Sequence, residues 1–164
     1  MRIEGQKNAM AWMKLAQVEI GRAIESNGPF MSIADFFPDA TREIPAPDRH
    51  WLEPAAVEPG SNSLVMSIQS YIIRTPQHVV LADSCVGNYK SVKWFPTWDQ
   101  MRGNTYLPAL ATLGLQPQDI DVVLCSDLHV DHRGWTTQWL DGRRRPTSEG
   151  DAWRCDYWDN GRLI

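Results

Sequence analysis

Residues 120–135 read IDVVLCSDLHVDHRGW, and their reading decides the fold. Ile120, Val122, Val123 and Leu124 form a short apolar run that predicts a buried strand over 120–125. The polar cluster Ser126-Asp127-Leu128-His129-Val130-Asp131-His132 follows at once. Site residues in an α/β layer gather where a strand ends. Two of the chain's four histidines and two carboxylates fall between Asp127 and His132. In an extended segment Asp127, His129 and Asp131 would share one face. A turn would instead bring the four groups onto adjacent points. Imidazole nitrogen and carboxylate oxygen suit zinc, and two ions about 3.5–4 Å apart can generate a nucleophile from water and polarise a carbonyl. A solvated polar turn is the competing reading of the same spacing.

Working upstream, Gly114 marks the end of a helix that includes Leu107, Leu110 and Ala111 at helical spacing. Asn104 or Thr105 is placed to cap its start. Pro108 falls in a first turn, where its missing N–H has no intrahelical partner. Leu115 is expected to pack back on Leu110. Residues 84–103 read as a loop. Residues 63–74 alternate, with Leu64, Met66 and Ile68 on one face. Thr75-Pro76-Gln77 is a turn, and 78–83 a short apolar strand ending on Asp83. The two strands predict an antiparallel hairpin. Prolines 29, 38, 45, 47, 54 and 59 leave room in 27–62 for one short helix, near Ser32–Phe37. That stretch reads as a lid or an ordinary surface loop. Residues 14–24 predict a strand, a turn at Gly21 and a second strand. The order of elements indicates a layered α/β domain.

The chain has 164 residues, a one-domain length able to remove about 70% of its unfolded surface on folding. It is 43% hydrophobic and 22% charged, with a net charge of −4. That balance argues against nucleic acid and against an anionic membrane surface as partners. No run approaches the roughly 18 apolar residues of a membrane span, and no secretory signal opens the sequence. A cytoplasmic location is therefore expected. The three cysteines, Cys85, Cys125 and Cys155, suggest neither a disulfide framework nor a zinc knuckle. Cys125 reads as a buried small hydrophobe. Arg143-Arg144-Arg145 reads as a solvated face. Trp94, Trp98, Trp135 and Trp139 either line an apolar pocket or pack.

The stretch VVLCSDLHVDHRGW resembles the metal motif of the metallo-β-lactamase fold, a T-H-x-H-x-D-H pattern after a buried strand. The hairpin MSIQSYIIRTPQHVVLADSCVGNYK resembles that family's strand pair ending in an aspartate-bearing loop. From about Lys14 to Thr147 the chain is similar to a lactonase-like branch with Gly-Trp after the motif. The resemblance implies an αββα sandwich of which 1–147 is the N-terminal half, with 148–164 an unmatched tail. It implies hydrolysis of an ester, lactone or amide-like bond of a small molecule through metal-bound hydroxide, with one or two zinc ions. His129 would bind the first metal, and Asp131 and His132 the second. Asp131 would also orient the attacking water. Asp83 would position the metal loop, or simply cap nearby backbone N–H groups.

Two departures accompany the resemblance. Asp127 stands where the family has its first histidine, as a substitute ligand or as a loop carboxylate without metal. No histidine follows His132, so the family's later ligands are missing. His50 and His78 match no family ligand. The resemblance stops near Thr147, and the expectation that follows is a reading frame that shifts, or a gene that is truncated, there. A non-catalytic chain with weak or no metal binding is the alternative to an active hydrolase.

Overall fold

In the computed structural model, residues 12–39, 46–147, 156–159 and 162–163 are described. They fall into two compact units, 26–68 and the remainder of the chain. Strands β2 (Val18–Ser32) and β3 (Ser63–Arg74) contribute residues to both.

The larger unit is built on a mixed sheet ordered β1-β2-β3-β4-β5-β8-β9. β1 (Met13–Leu15) pairs antiparallel with β2. Their turn is at Ala16-Gln17, with Ala16 at φ 55°, and not at Gly21 as expected. Gly21 lies inside β2, where a side chain would meet the Trp12 ring at 3.0 Å. The glycine serves ring packing there, not a turn.

β3 and β4 (Val79–Ala82) form the expected antiparallel hairpin, with Tyr71 opposite Ala82 and Arg74 opposite Val79. Thr75 holds the turn: its hydroxyl accepts from the Gln77 and His78 N–H groups. The buried face of β3 is carried by Ile68, Ser70 and Ile72, while Leu64 and Met66 are only half-buried. β5 (Val122–Cys125) lies parallel to β4, with Val80, Leu81 and Ala82 opposite Val122, Val123 and Leu124. A parallel pair needs a long crossover. Residues 83–121 supply it and include helix α3 (Tyr106–Thr112).

α3 buries Tyr106 and Leu110, while Leu107 is half-buried and Ala111 exposed. Sequence spacing had the helix right and its inner face one residue off. Gly114 at φ 74° ends it, and Leu115 is buried just beyond, as expected. Thr105 precedes the helix without capping it. Its hydroxyl donates instead to the Glu25 carbonyl at 2.6 Å. The core joins Ala23, Ile72, Leu81, Val86, Leu110 and Val123, all fully buried.

β6 (Thr137–Leu140) and β7 (Arg143–Pro146) form a separate hairpin. Arg143 and Arg145 are exposed on it, in keeping with a solvated basic face. β8 (Asp156–Asp159) pairs parallel with β5, and β9 (Arg162–Leu163) antiparallel with β8. These strands fall in the stretch expected to be a tail. The rest of that stretch lies outside the described residues.

The smaller unit holds two helices, not one. α1 (Ile33–Phe36) is the expected turn of helix, capped by the Ser32 hydroxyl, which accepts from Asp35 N–H at 3.1 Å. α2 (Ala46–Leu52) was missed because of its prolines. Pro47 sits in the first turn, where the lost N–H costs nothing, and Pro54 lies beyond the end. Arg49 secures α2 by donating to Glu53 Oε1 at 2.6 Å, Ser61 O at 2.9 Å and Asn62 Oδ1 at 2.6 Å.

Among the described residues no helix is long and apolar enough to cross a membrane. Cys125 is fully buried, as expected.

Candidate functional site

The motif loop leaves β5 at Ser126 and closes as a tight turn, with His132 N–H donating to His129 O at 3.1 Å. The turn, and not an extended segment, sets which groups meet. His132 stands at the centre. Its Nδ1 lies 3.0 Å from Asp83 Oδ2. A carboxylate only accepts, so Nδ1 carries the proton. Its Nε2 faces Asp131 Oδ2 at 3.4 Å and Asp127 Oδ2 at 3.5 Å.

Asp83 combines the two roles open to it from sequence. Its Oδ1 accepts from Ser126 N–H at 2.7 Å, and its Oδ2 from the Ser126 hydroxyl at 2.9 Å. The same carboxylate orients His132. It does so from a left-handed backbone, φ 60°, at the end of β4. Carboxylate partners of this kind fix the tautomer and aim of a ligating imidazole.

His129 does not join the centre. Its ring is 80% exposed, and its Nδ1 lies 2.9 Å from Asp127 Oδ1, which also accepts the His129 N–H at 2.7 Å. Asp127 thus turns its two oxygens to different histidines. Desolvation pushes its carboxyl up, but donation from the His129 backbone and ring, together with the charges of His132 and His129, overcomes it and holds the carboxyl below the usual range. For His132, partial burial works against the charged imidazolium. The hydrogen bond to Asp83 and the charges of Asp83, Asp131 and Asp127 overcome it and raise the pKa.

The donor chemistry suits zinc. Imidazole nitrogen and carboxylate oxygen are both zinc donors, and Nε2 of His132 with the Asp131 and Asp127 carboxylates would supply them. The convergence is incomplete: among the described residues no group of three or more His, Cys, Asp or Glu is arranged to hold a metal ion. His50 and His78 stand elsewhere, His50 on the Pro47 carbonyl and His78 exposed beside Asp121.

The two site loops are stitched together. Ser84 N–H donates to His132 O at 2.7 Å, Trp135 N–H to Ser84 O at 2.8 Å and Gly134 N–H to Cys85 O at 2.6 Å. A Cβ on Gly134 would stand 1.7 Å from Val86 O, and one on Gly87 2.6 Å from Gly134 C. Beneath this crossing, the Glu25 carboxyl accepts from Val86 N–H at 2.9 Å, Gly87 N–H at 3.0 Å and Trp135 Nε1–H at 2.6 Å. Glu25 lies just past the strand-like run 14–24 and carries no local signal of this role. Trp135 stacks on Tyr106 at 5.2 Å, and the Tyr106 hydroxyl meets Ser70 Oγ at 2.8 Å. Packing, not pocket lining, is its use.

A cleft of about 600 Å³ opens beside the motif loop. Lys90, Val92, Trp94, Leu128, His129 and Arg133 are among its walls. Trp94 is 72% exposed in it.

No family model and no curated protein matches the chain. Solved structures do. A probable metal-dependent hydrolase from Staphylococcus aureus matches at 25% identity and a TM-score of 0.54, over 75% of this chain and 42% of its own. AidC, a dizinc quorum-quenching lactonase in complex with a product, matches at 19% identity and a TM-score of 0.56, over 76% and 37%. The hydrolase AbOPH of the β-lactamase superfamily matches at 18% identity and a TM-score of 0.51, over 76% and 38%. The chain therefore has a mixed α/β fold matching metallo-β-lactamase superfamily hydrolases, and it spans about two fifths of the length of these structures.

Proposed function

We propose that this protein is a metal-dependent hydrolase of the metallo-β-lactamase fold, acting on an ester, lactone or amide-like bond of a small molecule. The observation that carries this reading is the approach of Asp127 and Asp131 to Nε2 of His132, while Asp83 holds Nδ1. His132, Asp131 and Asp127 would hold zinc, and His129 would join them by turning its ring inward. A bound ion supplies Lewis acidity toward a carbonyl and lowers the pKa of water. Asp131 orients the attacking water, and the cleft beside His129 receives the substrate. A cytoplasmic location belongs to the same reading.

The second reading is a non-catalytic chain with weak or no metal binding. The outward ring of His129, 80% exposed, favours it. Zinc titration of the purified protein, with a panel of lactones and esters, separates the two. The hydrolase reading expects at least one tightly held zinc, turnover, and loss of zinc in His129→Ala and Asp131→Ala. Substoichiometric zinc with no turnover rejects it.

A further inference from the structure

We infer that Glu25 is the positioning residue of the motif loop: it holds the Asp83 segment and the His132 turn in register, and thereby sets the aim of the His132 ring. The argument starts from what Glu25 touches. It is 7% exposed, and all three of its side-chain partners donate. Two are the Val86 and Gly87 N–H groups, three and four residues past Asp83. The third is the indole N–H of Trp135, three residues past His132. One carboxyl thus grips both segments that carry the Asp83–His132 contact. Its own carbonyl also accepts from Thr105 at the start of α3, which fixes the carboxyl's origin.

The backbone bonds between the two segments depend on this grip. Ser84, Cys85, Gly134 and Trp135 pair where Gly87 and Gly134 cross with no room for a side chain. A crossing this close moves as a unit. A shift of either segment carries Asp83 away from Nδ1 of His132. No contact of Glu25 reaches the motif carboxylates, so its influence runs through position alone.

The inference rests on the proposed function only for its consequence, zinc affinity; the geometry is testable on zinc-free protein. Nitrogen-15 NMR of the imidazoles, at a pH high enough that their signals no longer move, reads the tautomer. Wild type is expected to show His132 protonated at Nδ1. In Glu25→Gln the amide presents N–H either where Val86 donates or where both Gly87 and Trp135 donate, so at least one grip is lost. The folded variant should show His132 broadened or mixed in tautomer, with His50 and His78 unchanged. Its affinity for zinc ion alone should fall about tenfold, the usual effect of losing a ligand's support. If Glu25→Gln does not fold, Trp135→Phe, which keeps ring stacking and removes one donor, is the deciding variant and should move the His132 signal the same way. A folded variant with an unaltered His132 tautomer overturns the inference. A wild type that binds no zinc overturns the hydrolase reading and leaves the NMR comparison to decide this one.

Discussion

Gly134 shows how one missing methyl group determines a site. The two loops cross at backbone contact, and the position accepts no Cβ without moving Val86. Gly134→Ala should therefore destabilise the protein by more than about 3 kcal/mol, read by urea unfolding. Gly103→Ala is the contrast. Its Cβ would come no closer than 3.9 Å to a neighbour, and the change should stay within about 0.5 kcal/mol. Cys85 lies in the same crossing and is fully buried. Burial, then the charge of Glu25, pushes its thiol well above the usual range, against a hydrogen bond from Ser70. The thiolate is the nucleophile, so native Cys85 should resist iodoacetamide at pH 8 and react only in denaturant. Rapid alkylation of the folded protein would contradict its burial.

The hairpin of β6 and β7 turns on local backbone chemistry. Asp141 and Gly142 both have positive φ, 50° and 72°, as a two-residue type I′ turn requires. Asp-Gly is the strongest short-range hairpin signal in any sequence. Gly142→Ala should cost about 1 kcal/mol, and Asp141→Asn, which tolerates the same conformation, close to nothing. Amide exchange of Gln138 and Arg145, paired across the hairpin, measures both. α2 teaches the converse lesson. Its prolines argued against a helix by count, but position decides their effect: one lies in the first turn and one past the end.

At the scale of the whole molecule, Glu25 links the stability of the larger unit to pH. Burial raises its pKa above the ordinary 4.5, although the N–H donors of Val86, Trp135 and Gly87 and the charge of Lys90 oppose it. The folded state then holds the proton more tightly than the unfolded chain. That stabilisation is fully present below the unfolded pKa and is lost as pH rises through the folded one. Glu25→Gln cannot titrate. The stability of wild type relative to this variant should therefore fall as pH rises from about 4 through the folded value, in urea melts at stepped pH. A difference that grows with pH would reverse the sign and refute the shift.

The sequence by itself determined the elements whose signal is local: the β3–β4 hairpin, the apolar strand β5, the helix over 106–112 and its stop at Gly114. It also located the motif loop, because its acids and imidazoles are contiguous. Tertiary structure alone decided what those groups do. That His132 is central, that His129 turns outward and that Asp83 serves both a backbone and a ring depend on a turn whose shape no spacing rule supplies. Glu25 was illegible for the same reason. Its partners lie 61, 62 and 110 residues away in the chain. A hydrogen bond at 3 Å between such residues is a property of the packed chain, and it leaves no periodicity to read.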